Sequence, residues 1–241
     1  MGLGDDSKLY EVRIRDSRGL LMNDLLEQYN TMADSVKQHS ERVSACAVIM
    51  AKYAMPDLRS EYGLGEEELT EAVRLGCLYH DIGKLSYSPI VVLTRTEVTA
   101  HMNLMARSHV INGYAQIKKY GRRCFKKDKV CMRVIADIVL CHHEQCSGGG
   151  YPNGLSSNDI PSSACLCAMA NKLDSLYVAY GESMGFEFIE DMIKEQSGRY
   201  FTVGAVEWFI AARDELAAFY AGRYETVRSA MQGEKGDICL I

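Results

Sequence analysis

Apolar residues recur at three- and four-residue spacing over segments near 18–30, 35–55, 66–79, 97–119, 128–143, 161–180, 186–197 and 203–221. That spacing gathers the apolar positions on one helical face, so each segment is predicted to be an α-helix. In GEEELTEAVRLGCLYH (65–80) the first turn is acidic, as the helix dipole favours, and Leu69, Ala72, Val73, Cys77 and Leu78 form one stripe. LYEVRIRD (9–16) alternates as a strand would, but one strand cannot make a sheet. No internal repeat or low-complexity linker interrupts the pattern. The pattern predicts an all-α domain, a helical bundle over 31–225, with residues 1–30 packed on it as an extension and 226–241 as a frayed tail.

Composition changes this picture little. The chain has 241 residues, 47% apolar and 24% charged, enough for a core in one domain or two closely joined halves. Its net charge of −5 argues against binding a DNA or RNA duplex, which calls for a basic surface. No apolar run approaches the roughly 18 residues of a membrane span, so no membrane partner is expected. The nine cysteines lie in apolar segments such as SSACLCAMA, which suits reduced thiols and a cytoplasmic location. A thiolate zinc site from Cys141, Cys146, Cys165 and Cys167 is a weak alternative, because no CxxC pair occurs. IKKYGRRCFKKDKVCMR (117–133) sets eight basic residues against one acid. It reads as a solvated helix–turn–helix corner, with a phosphate-attracting rim as the alternative.

The chemistry concentrates in the histidines. His39, His80, His109 and the pair His142–His143 stand in polar contexts, and Asp81 follows His80 directly. Helical bundles converge such groups from facing helices on a metal pocket. Imidazoles take borderline metals such as iron, manganese, zinc and nickel, and a carboxylate can bridge two ions. Two ions about 3.5–4 Å apart activate a shared water and hold phosphoryl oxygens. His101 is left over, a surface or core histidine. In CHHEQCSGGGYPNGL (141–155), three glycines and Tyr-Pro follow the histidine pair at once, and glycine lets the backbone turn sharply and approach a ligand.

The order HS-x-RV, HDIGK, H-xxx-G, HHE, GYPNGL and IP, running from residue 39 to 161, resembles the HD-GYP branch of the HD-superfamily phosphohydrolases. The resemblance implies an HD-type bundle with two or three divalent transition metals in its core, iron or manganese favoured. It implies hydrolysis of a cyclic dinucleotide, cyclic di-GMP first, by a metal-bound hydroxide. The implied metal ligands are His39, His80, Asp81, His109, His142, His143 and, at the last position, Asn171. Asp81 and Lys84 are the implied catalytic residues, and Lys84, Gly150 and Tyr151 the implied substrate contacts. A homodimer is a further expectation.

The departures from the pattern are specific. MANKLDSL (169–176) puts Asn171 where the family has an aspartate, and an amide oxygen lacks the charge that favours a hard dication. Asp174 is one helical turn further on, roughly 5 Å along the axis, too far to replace it simply. Ser147 stands for an aspartate, Ser35 for a third-metal glutamate, YGE (180–182) for a phosphate-gripping R-P-Y, and FTV (201–203) for FDP. The alternative expectation is therefore a nucleotide- or metal-binding module that keeps the fold without turnover.

Overall fold

The protein is described here by a computed structural model covering residues 19–86, 107–121 and 126–222. Among the described residues the regular structure is helical: α1 (Gly19–Asn30), α2 (Asp34–Tyr62), α3 (Glu66–Leu78), α4 (His109–Gly121), α5 (Lys126–Cys141), α6 (Ser162–Lys194) and α7 (Val203–Ala211). Short 3-10 turns cover Ile82–Ser86 and Ser157–Asp159, and a last helical stretch runs over 213–222. The alternating stretch at 9–16, His101 and the tail 226–241 lie outside the described residues, as does the part of the basic segment at 122–125.

Helix limits follow local chemistry. Gly63 closes α2 in the left-handed region at φ 66°, its N–H bonding the Arg59 carbonyl. Glu68 folds back to accept the Gly65 N–H at the start of α3, and the Thr202 hydroxyl accepts from Ala205 at the start of α7. The two segments expected over 161–180 and 186–197 are the two helical stretches of α6, which meet at Gly185, where the backbone (φ 78°) is not helical. Glycine tolerates that φ without the Cβ clash that other residues meet, so the break falls there.

Two apolar clusters hold the bundle. The larger takes Val43, Met50, Leu58, Leu69, Val73, Ile138, Leu166, Met169, Phe209 and Tyr220 from α2, α3, α5, α6, α7 and 213–222. The smaller joins Leu25 and Tyr29 of α1 to Leu75, Tyr79, Ile82, Ile117, Ile135 and Val139. Each fully buried side chain of this size contributes about 1.5–3 kcal/mol relative to exposure. The smaller cluster fixes the end of α3 against α4 and α5.

One close approach sets the position of α4. A Cβ on Gly83 would lie 1.9 Å from the His109 carbonyl oxygen and 2.6 Å from the Gly113 nitrogen. A Cβ on Gly113 would meet Val139 Cγ1 at 2.8 Å and the Gly83 nitrogen at 3.3 Å. The turn after α3 and the first turns of α4 therefore touch backbone to backbone, which only glycine permits. Gly83→Ala should lower the midpoint of thermal unfolding, by an overpacking cost of about 1–3 kcal/mol or more. Gly63→Ala, at a position with nothing within 4 Å of the new Cβ, serves as a control for left-handed strain alone. Calorimetry showing no loss in Gly83→Ala would contradict the tight crossing.

Candidate metal centre

The bundle delivers its histidines from helix ends. α3 stops at Leu78 and α5 at Cys141, so His80, Asp81, His142 and His143 fall just beyond two C-termini. His109 opens α4, and His39 projects from the second turn of α2. Helix C-termini carry partial negative charge, which favours a nearby cation.

These side chains fall into two groups of three whose ligand atoms lie within 4.8 Å of one another: His39, His80 and Asp81, and His109, His142 and His143. Asp81 faces both. Its Oδ2 is 3.3 Å from His80 Nε2 and its Oδ1 is 3.4 Å from His109 Nε2. The second group closes through His109 Nε2 and His142 Nε2, 3.3 Å apart. Six of the seven residues expected as ligands thus come together, with the carboxylate between the two groups.

Backbone carbonyls fix the orientation of two of the rings. His80 Nδ1 donates to the Cys77 carbonyl at 2.7 Å, and His142 Nδ1 to the Ile138 carbonyl at 3.1 Å. With Nδ1 donating, Nε2 is the nitrogen that offers a lone pair to a metal. The Nε2 of His80 is buried with no hydrogen-bond partner among the described residues. A buried, unpaired imidazole nitrogen aimed at a carboxylate and other imidazoles is what a dication would satisfy. The donor set fits divalent-metal sites.

Electrostatics agree with that use. Burial would raise the Asp81 carboxyl, but His80 and Lys84 outweigh it and hold the group well below the ordinary carboxylate range. Burial, then repulsion from His143 and His80, pushes His142 well below the usual imidazole range. His143 is lowered likewise, by burial and then by His109. Asp81 is therefore anionic and both histidines are neutral near pH 7, the forms that bind metal. The cysteines behave differently: burial raises Cys141 and Cys165 to about 12, so neither offers a thiolate. No group of three potential ligands among the described residues includes a cysteine.

Around the ligands, the expected substrate residues take distinct places. Lys84 Nζ donates to Asp81 Oδ2 at 2.7 Å and stays about one-third exposed. Tyr151 stacks on His143, ring centroids 4.7 Å apart and planes 19° apart. Gly150 has a packing role: a Cβ there would lie 2.4 Å from the Gln145 nitrogen and 2.5 Å from Glu144 Cα. The loop thus turns back onto the HHE backbone, and the Tyr151 N–H bonds the His143 carbonyl at 3.1 Å. Asn171 is half-buried on α6, one turn before Asp174 on the same face. Its amide makes no hydrogen bond with another described residue, while its carbonyl accepts from Ser175.

Two supports were not recognised from sequence. Glu144, fully buried, accepts the Asn153 N–H at 2.7 Å on one oxygen and the Leu155 N–H at 2.9 Å on the other. It ties the glycine-rich loop to the histidine pair. Asp174 binds behind His39: Oδ2 accepts His39 Nδ1 at 2.7 Å and Arg42 Nη2 at 3.0 Å, and Oδ1 accepts Arg42 Nε at 2.7 Å and the Tyr220 hydroxyl at 3.1 Å. The carboxylate one helical turn after Asn171 therefore orients His39. The HS-x-RV spacing held the signal, since His39 and Arg42 share a helical face.

Removing that support has a defined consequence. Asp174→Asn leaves Arg42 without its buried counter-charge, and breaking such a pair costs about 3–5 kcal/mol. Loss of the carboxylate behind a ligating imidazole lowers metal affinity by about 10- to 100-fold. Unfolding curves and a zinc or manganese titration of the variant should show both effects. Unchanged affinity would place His39 outside the metal centre.

Comparison with known proteins supplies the family. A family model described as HD domain matches residues 36–176, more than half the chain. The chain is 29% identical over 220 residues, 88% of its length, to the 3'3'-cGAMP-specific phosphodiesterase 2 of Vibrio cholerae. It is 26% identical over 198 residues to the cyclic di-GMP phosphodiesterase of Thermotoga maritima, and 30% identical over 189 residues to the response regulator RpfG, a cyclic di-GMP phosphodiesterase of Xanthomonas campestris. These alignments cover 81% and 77% of the chain. The matched regions are 40%, 49% and 45% of the three relatives, so the chain spans less than half of each. A solved HDG"Y"P protein from Bdellovibrio bacteriovorus superposes with a TM-score of 0.53 over 82% of this chain and 59% of that one, at 18% identity, a likeness of fold. With His80-Asp81 in its centre and Gly150-Tyr151-Pro152 on the adjoining loop, the chain belongs to the HD domain family and carries the HD-GYP signature.

Proposed function

We propose that this chain is a metal-dependent phosphodiesterase that hydrolyses a cyclic dinucleotide, cyclic di-GMP first, through a domain spanning 31–225. The observation that carries the reading is Asp81, whose two oxygens face His80 and His109 at 3.3 and 3.4 Å, one from each group of ligands. A carboxylate so placed suits two ions rather than one. His39 and His80 would hold the first ion, His109, His142 and His143 the second, with Asp81 shared. Iron or manganese fits this nitrogen-rich set with one carboxylate. When bound, two such ions lower the pKa of a shared water and offset charge on a phosphoryl group.

The chain's own residues complete the site. Lys84 is one hydrogen bond from Asp81 and reaches solvent, so its ammonium can turn to an equatorial phosphate oxygen. His142 and His143 stay neutral and keep their lone pairs on the metals rather than on protons. Tyr151, packed flat on His143, forms a wall beside the ligands that a nucleotide can touch. Among the relatives named above, one is specific for 3'3'-cGAMP and two act on cyclic di-GMP, which supports the cyclic dinucleotide class.

A binding module without turnover is the second reading, favoured by Asn171. An amide at that position weakens the charge available to an ion. Anaerobic purification, metal counting and assay with cyclic di-GMP and 3'3'-cGAMP decide between the two. Wild type should hold at least one ion per chain and cleave one of the nucleotides, and His142→Ala should lose metal and activity together. Asn171→Asp should raise occupancy, and turnover with it where the second ion limits the rate. Metal-loaded wild type that cleaves neither nucleotide, with Asn171→Asp equally inert, would overturn the enzymatic reading.

A further inference from the structure

We propose that Arg107 grips the second phosphate of the cyclic dinucleotide, an inference that rests on the function proposed above. Arg107 lies two residues before His109, is exposed, and places its guanidinium carbon 4.9 Å from the centre of the Tyr151 ring. The same ring stacks on His143 at 4.7 Å, and His143 lies 5.1 Å from His109. A cation, an aromatic ring and a metal-ligand imidazole thus form one continuous series at the edge of the centre.

The chemistry of the substrate class calls for such a group. A cyclic dinucleotide carries two phosphodiesters, and only one can lie on the metals at a time. Lys84 is committed to that side, held at 2.7 Å from Asp81. The other phosphate keeps a full negative charge that must be desolvated when the ligand binds. No carboxylate among the described residues lies within ion-pair distance of Arg107, so its charge is not already neutralised by one of them. Stacking on Tyr151 restricts the side chain while leaving the N–H groups of its planar fork at the rim for phosphate oxygens. Tyr151 is thus the platform that aims the arginine, and His143 braces the platform.

The test is equilibrium binding of non-hydrolysable phosphorothioate analogues of cyclic di-GMP and 3'3'-cGAMP by calorimetry to manganese-loaded wild type, Arg107→Ala and Arg107→Lys. Metal content is counted in each sample. Loss of one charge-assisted contact should weaken binding about 10- to 100-fold in Arg107→Ala. Arg107→Lys should recover part of that loss, because it keeps the charge and loses the fork. The salt dependence of affinity should be shallower in Arg107→Ala than in wild type. Metal content should be equal in all three proteins. Equal affinity in wild type and Arg107→Ala would overturn the assignment and leave the phosphodiesterase reading standing. Loss of metal from Arg107→Ala would instead make the arginine a support of the centre, also against the proposal. Wild type that binds neither nucleotide would remove the substrate reading itself and the assignment with it.

Discussion

The absence of one methyl group at Gly83 governs the geometry on which the centre depends. The turn after α3 meets the start of α4 so closely that a Cβ there would come within 1.9 Å of the His109 carbonyl. His80 and Asp81 come from one partner in that contact and His109 from the other. Without it, the carboxylate could not face both histidines at 3.3 and 3.4 Å. The smaller apolar cluster presses the same elements together, with Ile82 and Val139 fully buried beside the crossing. Packing and ligand geometry are thus set at one place.

The centre concentrates buried polar groups, and each needs compensation inside the protein. Asp81 has Lys84; His80 and His142 have backbone carbonyls of the helices they terminate. Asp174 binds Arg42 through both oxygens while orienting His39. What remains uncompensated is the Nε2 of His80, aimed into the centre. A protein that had only to keep a stable core would gain by replacing such groups with apolar ones, since a buried ion pair seldom beats good packing. Their joint presence fits a metal site better than a structural network.

How much of this was legible beforehand depended on the range of the interaction. Helix positions follow from local spacing, and the predicted segments fall on the observed helices wherever those are described. The break in α6 follows too, since the gap expected between 180 and 186 contains Gly185, the residue with non-helical backbone. The convergence of six candidate ligands was visible because histidines in polar settings are unusual and the motif order is specific. The roles of Glu144 and Asp174 were not visible. Their partners, the Asn153 and Leu155 amides and the pair His39 and Arg42, are assigned by tertiary contact, which periodicity does not report. The close packing of Gly150 on the Glu144–Gln145 backbone is likewise a tertiary contact that periodicity does not report.

Asn171 is best understood together with Asp174. In a helix these positions share a face, one turn apart, so a single stretch of α6 offers the centre an amide and a carboxylate. The carboxylate is already bound by Arg42, His39 and Tyr220, and burial, opposed by His39 and Arg42, still leaves it below its ordinary range. It cannot swing to a metal without stranding the Arg42 guanidinium in a largely buried site. The amide makes no hydrogen bond with another described residue, which leaves its oxygen available at no such cost. In the two-ion reading proposed above, the first group would offer one full negative charge, that of Asp81, which would also have to serve the second ion. Charge alone then predicts weak binding of that second ion. A phosphate brought by the substrate would add the missing negative charge.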